Sequence, residues 1–278
     1  MKREDLILFL PPFLWGWTFV IVKNGVSNYD PFSFVFIRFT LTFIMMLFFI
    51  YIFKIKITKE IFLKGSLTGF FLFSAYLFQT IGLKYTSPTN SAFITSISIP
   101  ITPFFSYLLT KRKIILRTYI AIIIVIIGLY FLFGGEIKNI NFGDFLTLIC
   151  AIFWALHIST IGHFSLSDES LPFLFAQIWT VFILSSISVL ITKKEILPIP
   201  KNSFWGALIV AIFATLIPFY IQIRYQNKKN TIKTAFIFAT EPIFANILEF
   251  ILIGTVYSLI NYFGMLLIFL SSFIAQRE

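Results

Sequence analysis

Residues 15–38 read WGWTFVIVKNGVSNYDPFSFVFIR, from Trp15 to Arg38, and residues 154–177 read WALHISTIGHFSLSDESLPFLFAQ, from Trp154 to Gln177. The two stretches have the same length. Each opens on a tryptophan followed by a small residue (Gly16, Ala155), crosses a polar connection, and ends on a polar side chain inside the next apolar run. Further landmarks agree with this pairing. Pro100 lies deep in the fourth apolar run, and Glu241-Pro242 lies in the run that corresponds to it in the second half. The chain therefore reads as two related halves, 1–137 and 138–278.

The medium in which these halves fold follows from composition. Of the 278 residues, 58% are hydrophobic and only 12% charged, and the mean hydropathy is +0.92. Soluble domains have about 25% charged residues. Apolar runs at 5–23, 32–53, 64–83, 88–110, 115–133, 143–163, 171–191, 203–224, 231–253 and 256–274 each suffice, as helices, to cross about 30 Å of hydrocarbon. The expected fold is an all-α integral membrane protein of ten transmembrane helices. Two halves of five spans each must sit in opposite orientations, giving two inverted five-helix repeats. Secondary transporters with a binding site between their halves have this layout.

The net charge of +10 does not imply nucleic acid. With both termini inside, the inner segments hold 15 Lys and Arg and the outer ones 5, as the positive-inside rule requires. The basic charge is thus a topological signal, with some attraction to lipid headgroups. The N-terminal run lacks a small-x-small cleavage site, and Pro11-Pro12 interrupts it, so it reads as an uncleaved first span. Cys150 is the only cysteine, which excludes an intrachain disulfide.

Alternating topology converts position into depth. Trp15 falls about 10 residues into the first span, roughly 15 Å deep at the helical rise. Tyr76, Pro100, Trp154 and Pro242 fall at similar depth. Each proline frees a backbone carbonyl that neighbours or water must satisfy. Such breaks at the midplane are where carriers of this design hold substrate. The candidate substrate-binding residues are Trp15, Tyr76, Gln79, Pro100, Trp154, His157 and Glu241. Helix packing is the competing reading for the aromatic residues, and helix bridging for Gln79 and Gln222.

An intramembrane carboxylate is costly unless partnered or protonated. Glu241 would serve as a proton-coupled switch, bind a substrate amine, or hydrogen-bond the carbonyls freed by a kink. Glu249 and Arg38 fall at matching depth and form a candidate ion pair, structural or gating. Lys23, at the outer end of the first span, is an interfacial anchor or a gating cation. His157 lies one turn from Trp154, and no second ligand is spaced for a metal. There is no Walker loop, HExxH or Gly-x-Ser-x-Gly. ATP-driven transport and hydrolase chemistry are therefore not expected, and no enzyme activity or bound cofactor is called for beyond proton coupling.

Taken together, the residues resemble the EamA-type transporters of the drug/metabolite transporter superfamily over nearly the whole length. The likeness rests in the first half on Trp15-Gly16, Lys23, Pro31, Arg38, Lys84-Tyr85-Thr86-Ser87, Ser98-Ile99-Pro100 and Gly128. In the second half it rests on Gly143-Asp144, Ala151, Trp154-Ala155 and Glu241-Pro242-Ile243-Phe244-Ala245. The Gly-Glu that the family often carries after spans four and nine is replaced by Lys111-Arg112-Lys113 and Gly254-Thr255. The resemblance implies ten helices with cytoplasmic termini in the cell membrane. It also implies alternating-access movement of small metabolites, often amino acids and commonly outward. The expected partners are a small-molecule substrate and membrane lipids, with no nucleic acid and no obligatory protein partner. The alternatives are a broad-specificity exporter of drugs or lipid-like compounds, and a non-transporting membrane receptor or assembly protein.

Overall fold

A computed structural model describes residues 3–133, 140–164, 167–254 and 257–275, apart from the side chains of residues 3, 167, 248, 249, 252 and 253. Among the described residues the regular structure is entirely helical. The first apolar run forms α1 (Arg3–Ile7), α2 (Leu10–Trp15) and α3 (Thr18–Gly25). It is followed by α4 (Pro31–Ile52), α5 (Lys59–Tyr85), α6 (Pro88–Ser96), α7 (Ser98–Thr110) and α8 (Leu116–Leu132). The rest comprises α9 (Phe142–Phe164), α10 (Ser170–Thr192), α11 (Lys201–Ala211), α12 (Ile217–Tyr225), α13 (Thr231–Phe238), α14 (Glu241–Ile253) and α15 (Leu259–Ala275). Seven helical stretches are long and apolar enough to cross a membrane, and α8 and α15 are shorter apolar helices of 17 residues. The observed boundaries lie within about five residues of the expected runs.

Local chemistry fixes several helix starts. Asp30 precedes Pro31 and accepts from Phe32 N at 2.9 Å, capping α4. Ser87 precedes Pro88 and accepts from Asn90 N at 3.0 Å, capping α6. In both, the proline occupies a position whose N–H would go unpaired anyway.

Four stretches are interrupted. The first is broken after Ile7 and again at Gly16-Trp17, the fourth at Ile97 and the ninth at Ala239-Thr240. The eighth contains a π-helical turn, Ile212–Leu216, between α11 and α12. A proline lies within a few residues of each: Pro11 and Pro12, Pro100, Pro242, and Pro218. The missing N–H removes one rung of the ladder, and the helix bends or widens there.

The core is assembled around α5, which packs along α9 on one side and α10 on the other, while α4 packs on α10. Gly65 and Gly69, small residues one turn apart on α5, allow this approach. A Cβ on Gly69 would come 2.7 Å from Gln177 O and 2.9 Å from Gln177 Cα, so α5 and α10 touch backbone to backbone. Helices α8 and α15 form a second close pair through Gly128 and Gly264.

This pair gives a sharp test. A methyl on Gly264 would strike the backbone of Leu132 and Gly128, whereas one on Gly206 would meet Ile21 at 3.6 Å, ordinary contact. Gly264→Ala should lower unfolding stability by ~1–3 kcal/mol through overpacking, and Gly206→Ala should leave it unchanged. Thermal unfolding of the purified protein in detergent reads both. Equal midpoints would refute the close approach of α8 and α15.

Candidate functional site

The site is built on one backbone oxygen. Pro218 has no N–H to give the carbonyl four residues back, that of Ala214. The helix widens instead: Ile217 N–H donates to Ile212 O, five residues back. Side chains from three other helices take the vacant place. Trp15 Nε1 donates to Ala214 O at 3.0 Å and the Tyr76 hydroxyl donates to it at 3.1 Å. Arg38 Nη2 approaches the same oxygen at 3.3 Å.

Arg38 is the centre of this cluster and is buried, 3% exposed. Its Nε and Nη2 donate to Thr215 Oγ1 at 3.0 and 2.8 Å, and Nη2 donates to the Tyr76 hydroxyl at 2.9 Å. Thr215 Oγ1 in turn donates to Val210 O at 2.9 Å. One hydroxyl thus uses its single proton and both lone pairs. The guanidinium carbon also sits 4.0 Å from the Tyr76 ring centroid, a cation–π contact. Among the described residues no carboxylate lies within ion-pair distance of Arg38. The side chain of Glu249, its expected partner, lies outside the described residues.

Aromatic rings surround the node. Trp15 and Trp154, the paired landmarks, meet at 6.1 Å between centroids. Tyr76 packs edge-on to Trp154 at 5.2 Å, and Phe238 edge-on to Trp15 at 5.1 Å. Phe219 lies against Trp15, Tyr76 and Trp154 at 5.7, 6.2 and 6.0 Å. Edge-on and tilted pairs of this kind contribute about 0.5–1.5 kcal/mol each beyond burial.

A cavity of about 60 Å³ opens beside this cluster. Trp15, Arg38, Tyr76, Gln79, Trp154 and Glu241 all line it. Five of the seven expected substrate-binding residues are therefore in one wall, together with Arg38. Gln79 Nε2 donates to Thr95 Oγ1 at 3.2 Å across the cavity's polar side. Among the described residues the Glu241 carboxylate has no hydrogen bond or ion pair. Pro100 is buried behind the lining residues Ser98 and Ile99. His157 is fully buried on the far side of Trp154, its Nε2 2.9 Å from Gln177 Oε1. The Gln177 counterpart of Arg38 is thus paired with the neighbour of the Trp154 counterpart of Trp15.

Lys23 lies at the end of the cavity marked by Val22 and Leu83. Its Nζ donates to Leu83 O at 2.5 Å and Thr86 O at 3.0 Å, closing α3 onto the C-terminus of α5, where a cation suits the helix dipole. Thr86 Oγ1 donates to Asp144 Oδ1 at 2.5 Å, tying α9 to the same corner. At the opposite end of the bundle Lys233 pairs with Asp5 at 2.6 Å, both largely buried. Sequence reading missed Ala214, Thr215, Phe219 and Phe238. Pro218 was the available signal, because the carbonyl that it frees is that of Ala214.

The EamA-like transporter family matches the chain twice, over residues 2–134 and over residues 141–276. The fold and site thus define a multi-pass membrane protein of transporter class, and the chain belongs to the EamA-like transporter family. An uncharacterized transporter of Archaeoglobus fulgidus is 33% identical over 272 residues, 98% of this chain and 85% of its own. The uncharacterized transporter YyaM of Bacillus subtilis is 27% identical over 290 residues, covering 97% and 93%. A protein of known crystal structure, 14% identical, shares the fold at a TM-score of 0.78 over 98% of this chain and 96% of its own.

The node is testable without a substrate. Arg38→Lys and Thr215→Val should each cost about 1–3 kcal/mol, the price of a buried polar group losing its partner. The double variant should fall short of their sum by about 0.5–3 kcal/mol. Additive costs in reversible unfolding would mean that the two side chains do not act together.

Proposed function

We infer that the protein is a secondary transporter of small metabolites, amino-acid-like zwitterions foremost, working by alternating access and exporting across the cytoplasmic membrane. One observation carries this reading. A guanidinium held, among the described residues, by neutral acceptors and a carboxylate with no hydrogen bond or ion pair among them line the same cavity, together with two tryptophans. A substrate carboxylate suits Arg38, a substrate ammonium suits Glu241, and an apolar side chain suits the faces of Trp15 and Trp154 that line the cavity. Glu241 is also the titratable group available for proton coupling.

The size of the cavity bears on mechanism. About 60 Å³ holds a few water molecules and no amino acid. Admission of substrate requires the walls to part. The broken stretches meet at this level, and hinges of this kind allow half-helices to swing without losing their own ladders. The Lys23 contacts at one end and the Asp5–Lys233 pair at the other are the cross-links that such a motion would open in turn. In this reading the ten helices form two inverted five-helix repeats, 1–137 and 138–278, with both termini cytoplasmic. Gln79 then holds the polar side of the substrate. His157 and Pro100 act from behind the cavity wall, on Trp154 and on the break in the fourth span.

Proteoliposomes decide the matter. Counterflow of labelled neutral amino acids should be saturable. Glu241→Gln and Arg38→Lys should each lower its efficiency at least about tenfold, since a charged hydrogen bond contributes about 1.5–3 kcal/mol. Trp15→Phe should weaken apparent affinity less. Counterflow that is absent for every amino acid with folded protein, or indifferent to Glu241→Gln, would refute the zwitterion reading.

A further inference from the structure

The molecule has a recess far larger than the central cavity. It is an apolar groove of about 930 Å³ on the surface between α4, α10 and α12, more than ten times the volume at the tryptophans. Ile44, Phe48 and Phe49 form one wall, Leu174 the floor, and Leu216 and Ile217 the other wall. Ile44, Phe48 and Phe49 are exposed, and Leu216 is only 9% exposed at the bottom.

The groove does not end in apolar surface. At Leu171 and Tyr220, which line both, it passes into a second recess bordered by Lys56, Asp168, Glu169 and Arg224. Arg224 Nη1 holds Asp168 Oδ1 at 3.0 Å, with Lys56 exposed and Glu169 half-buried beside them. The recess therefore offers two cations and two carboxylates at the mouth of an acyl-sized apolar slot. A detergent-like or purely anionic ligand would leave one sign of charge unanswered. A molecule with an acyl chain, a phosphate and an ammonium answers both.

We propose that this groove is a binding site for one phospholipid whose zwitterionic head carries a primary ammonium, as in phosphatidylethanolamine. The acyl chain lies along Phe48, Phe49 and Leu216. The phosphate faces Lys56, and the ammonium, with hydrogens to donate, faces Glu169, beside the Arg224–Asp168 pair. The site is coupled to the centre of the protein by construction. Ile212 and Leu216 of the π-helical turn wall the groove, while Ala214 and Thr215 of the same turn hold Trp15, Arg38 and Tyr76. A lipid seated there stiffens the turn on which the node depends. The proposal rests on membrane placement alone and stands or falls apart from any substrate.

Native mass spectrometry of the full-length protein, titrated with lipids of identical acyl chains, tests it. One phosphatidylethanolamine should be retained, with a Kd at least about tenfold below those of phosphatidylcholine and phosphatidylglycerol, a difference of ~1.4 kcal/mol. Phosphatidylcholine lacks the N–H donors, and phosphatidylglycerol lacks the cation. Lys56→Glu should remove the preference by reversing the charge that meets the phosphate. Ile44→Trp should narrow the groove and weaken retention of all three. Both positions are exposed, so the unfolding midpoint in detergent alone should match that of the parent protein. Equal Kd values for the three lipids, or an unchanged phosphatidylethanolamine Kd in either variant, would overturn the assignment.

Discussion

A single missing hydrogen organises the middle of this protein. Pro218 cannot donate to Ala214, and a carbonyl left bare inside a membrane bundle costs several kcal/mol. The chain resolves this with a π-helical turn and with donors from α2, α4 and α5 converging on the freed oxygen. Those donors belong to Trp15, Arg38 and Tyr76, the same side chains that line the central cavity. The backbone defect thus helps to place the site, together with Thr215, which holds Arg38, and Phe219, which packs on Trp15 and Tyr76.

The price of burying Arg38 is met in the same place. A guanidinium at 3% exposure needs acceptors in fixed directions. Thr215 accepts twice and passes its own proton to Val210, and Tyr76 accepts once and donates to Ala214. Among the described residues each of these acceptors is neutral, so the charge is solvated by hydroxyls, a carbonyl and a ring face.

The fold was legible in the sequence because membrane constraints act over whole segments. Charge-free runs, the bias of Lys and Arg between loops and the Trp15–Arg38 and Trp154–Gln177 intervals need no knowledge of contacts. Depth alone brought Trp15, Tyr76, Trp154 and Glu241 to one level, and these four side chains line one cavity. Which way each side chain turns was not legible. His157 and Trp154 share a helix face by spacing, yet Trp154 lines the cavity while His157 lies behind it on Gln177. The node was invisible for a different reason: its central acceptor is a backbone atom of an alanine, and only the proline four residues later betrays it.

The two kinds of break in this bundle have different consequences for motion. At Gly16-Trp17, Ile97 and Ala239-Thr240 the regular helix is broken, although the joining residues stay near helical dihedrals, and the halves of each stretch are joined by one or two residues. At Ile212–Leu216 the ladder continues with a wider pitch, so the stretch stays in one piece. A π turn can migrate or relax by exchanging one hydrogen bond for the next. Such a shift would rotate Ala214 and Thr215 relative to Arg38 while Ile212 and Leu216 rotate relative to the bilayer. The eighth stretch is therefore the element through which the lipid-facing surface and the central site can sense each other, and the three broken stretches are those that can swing once it has moved.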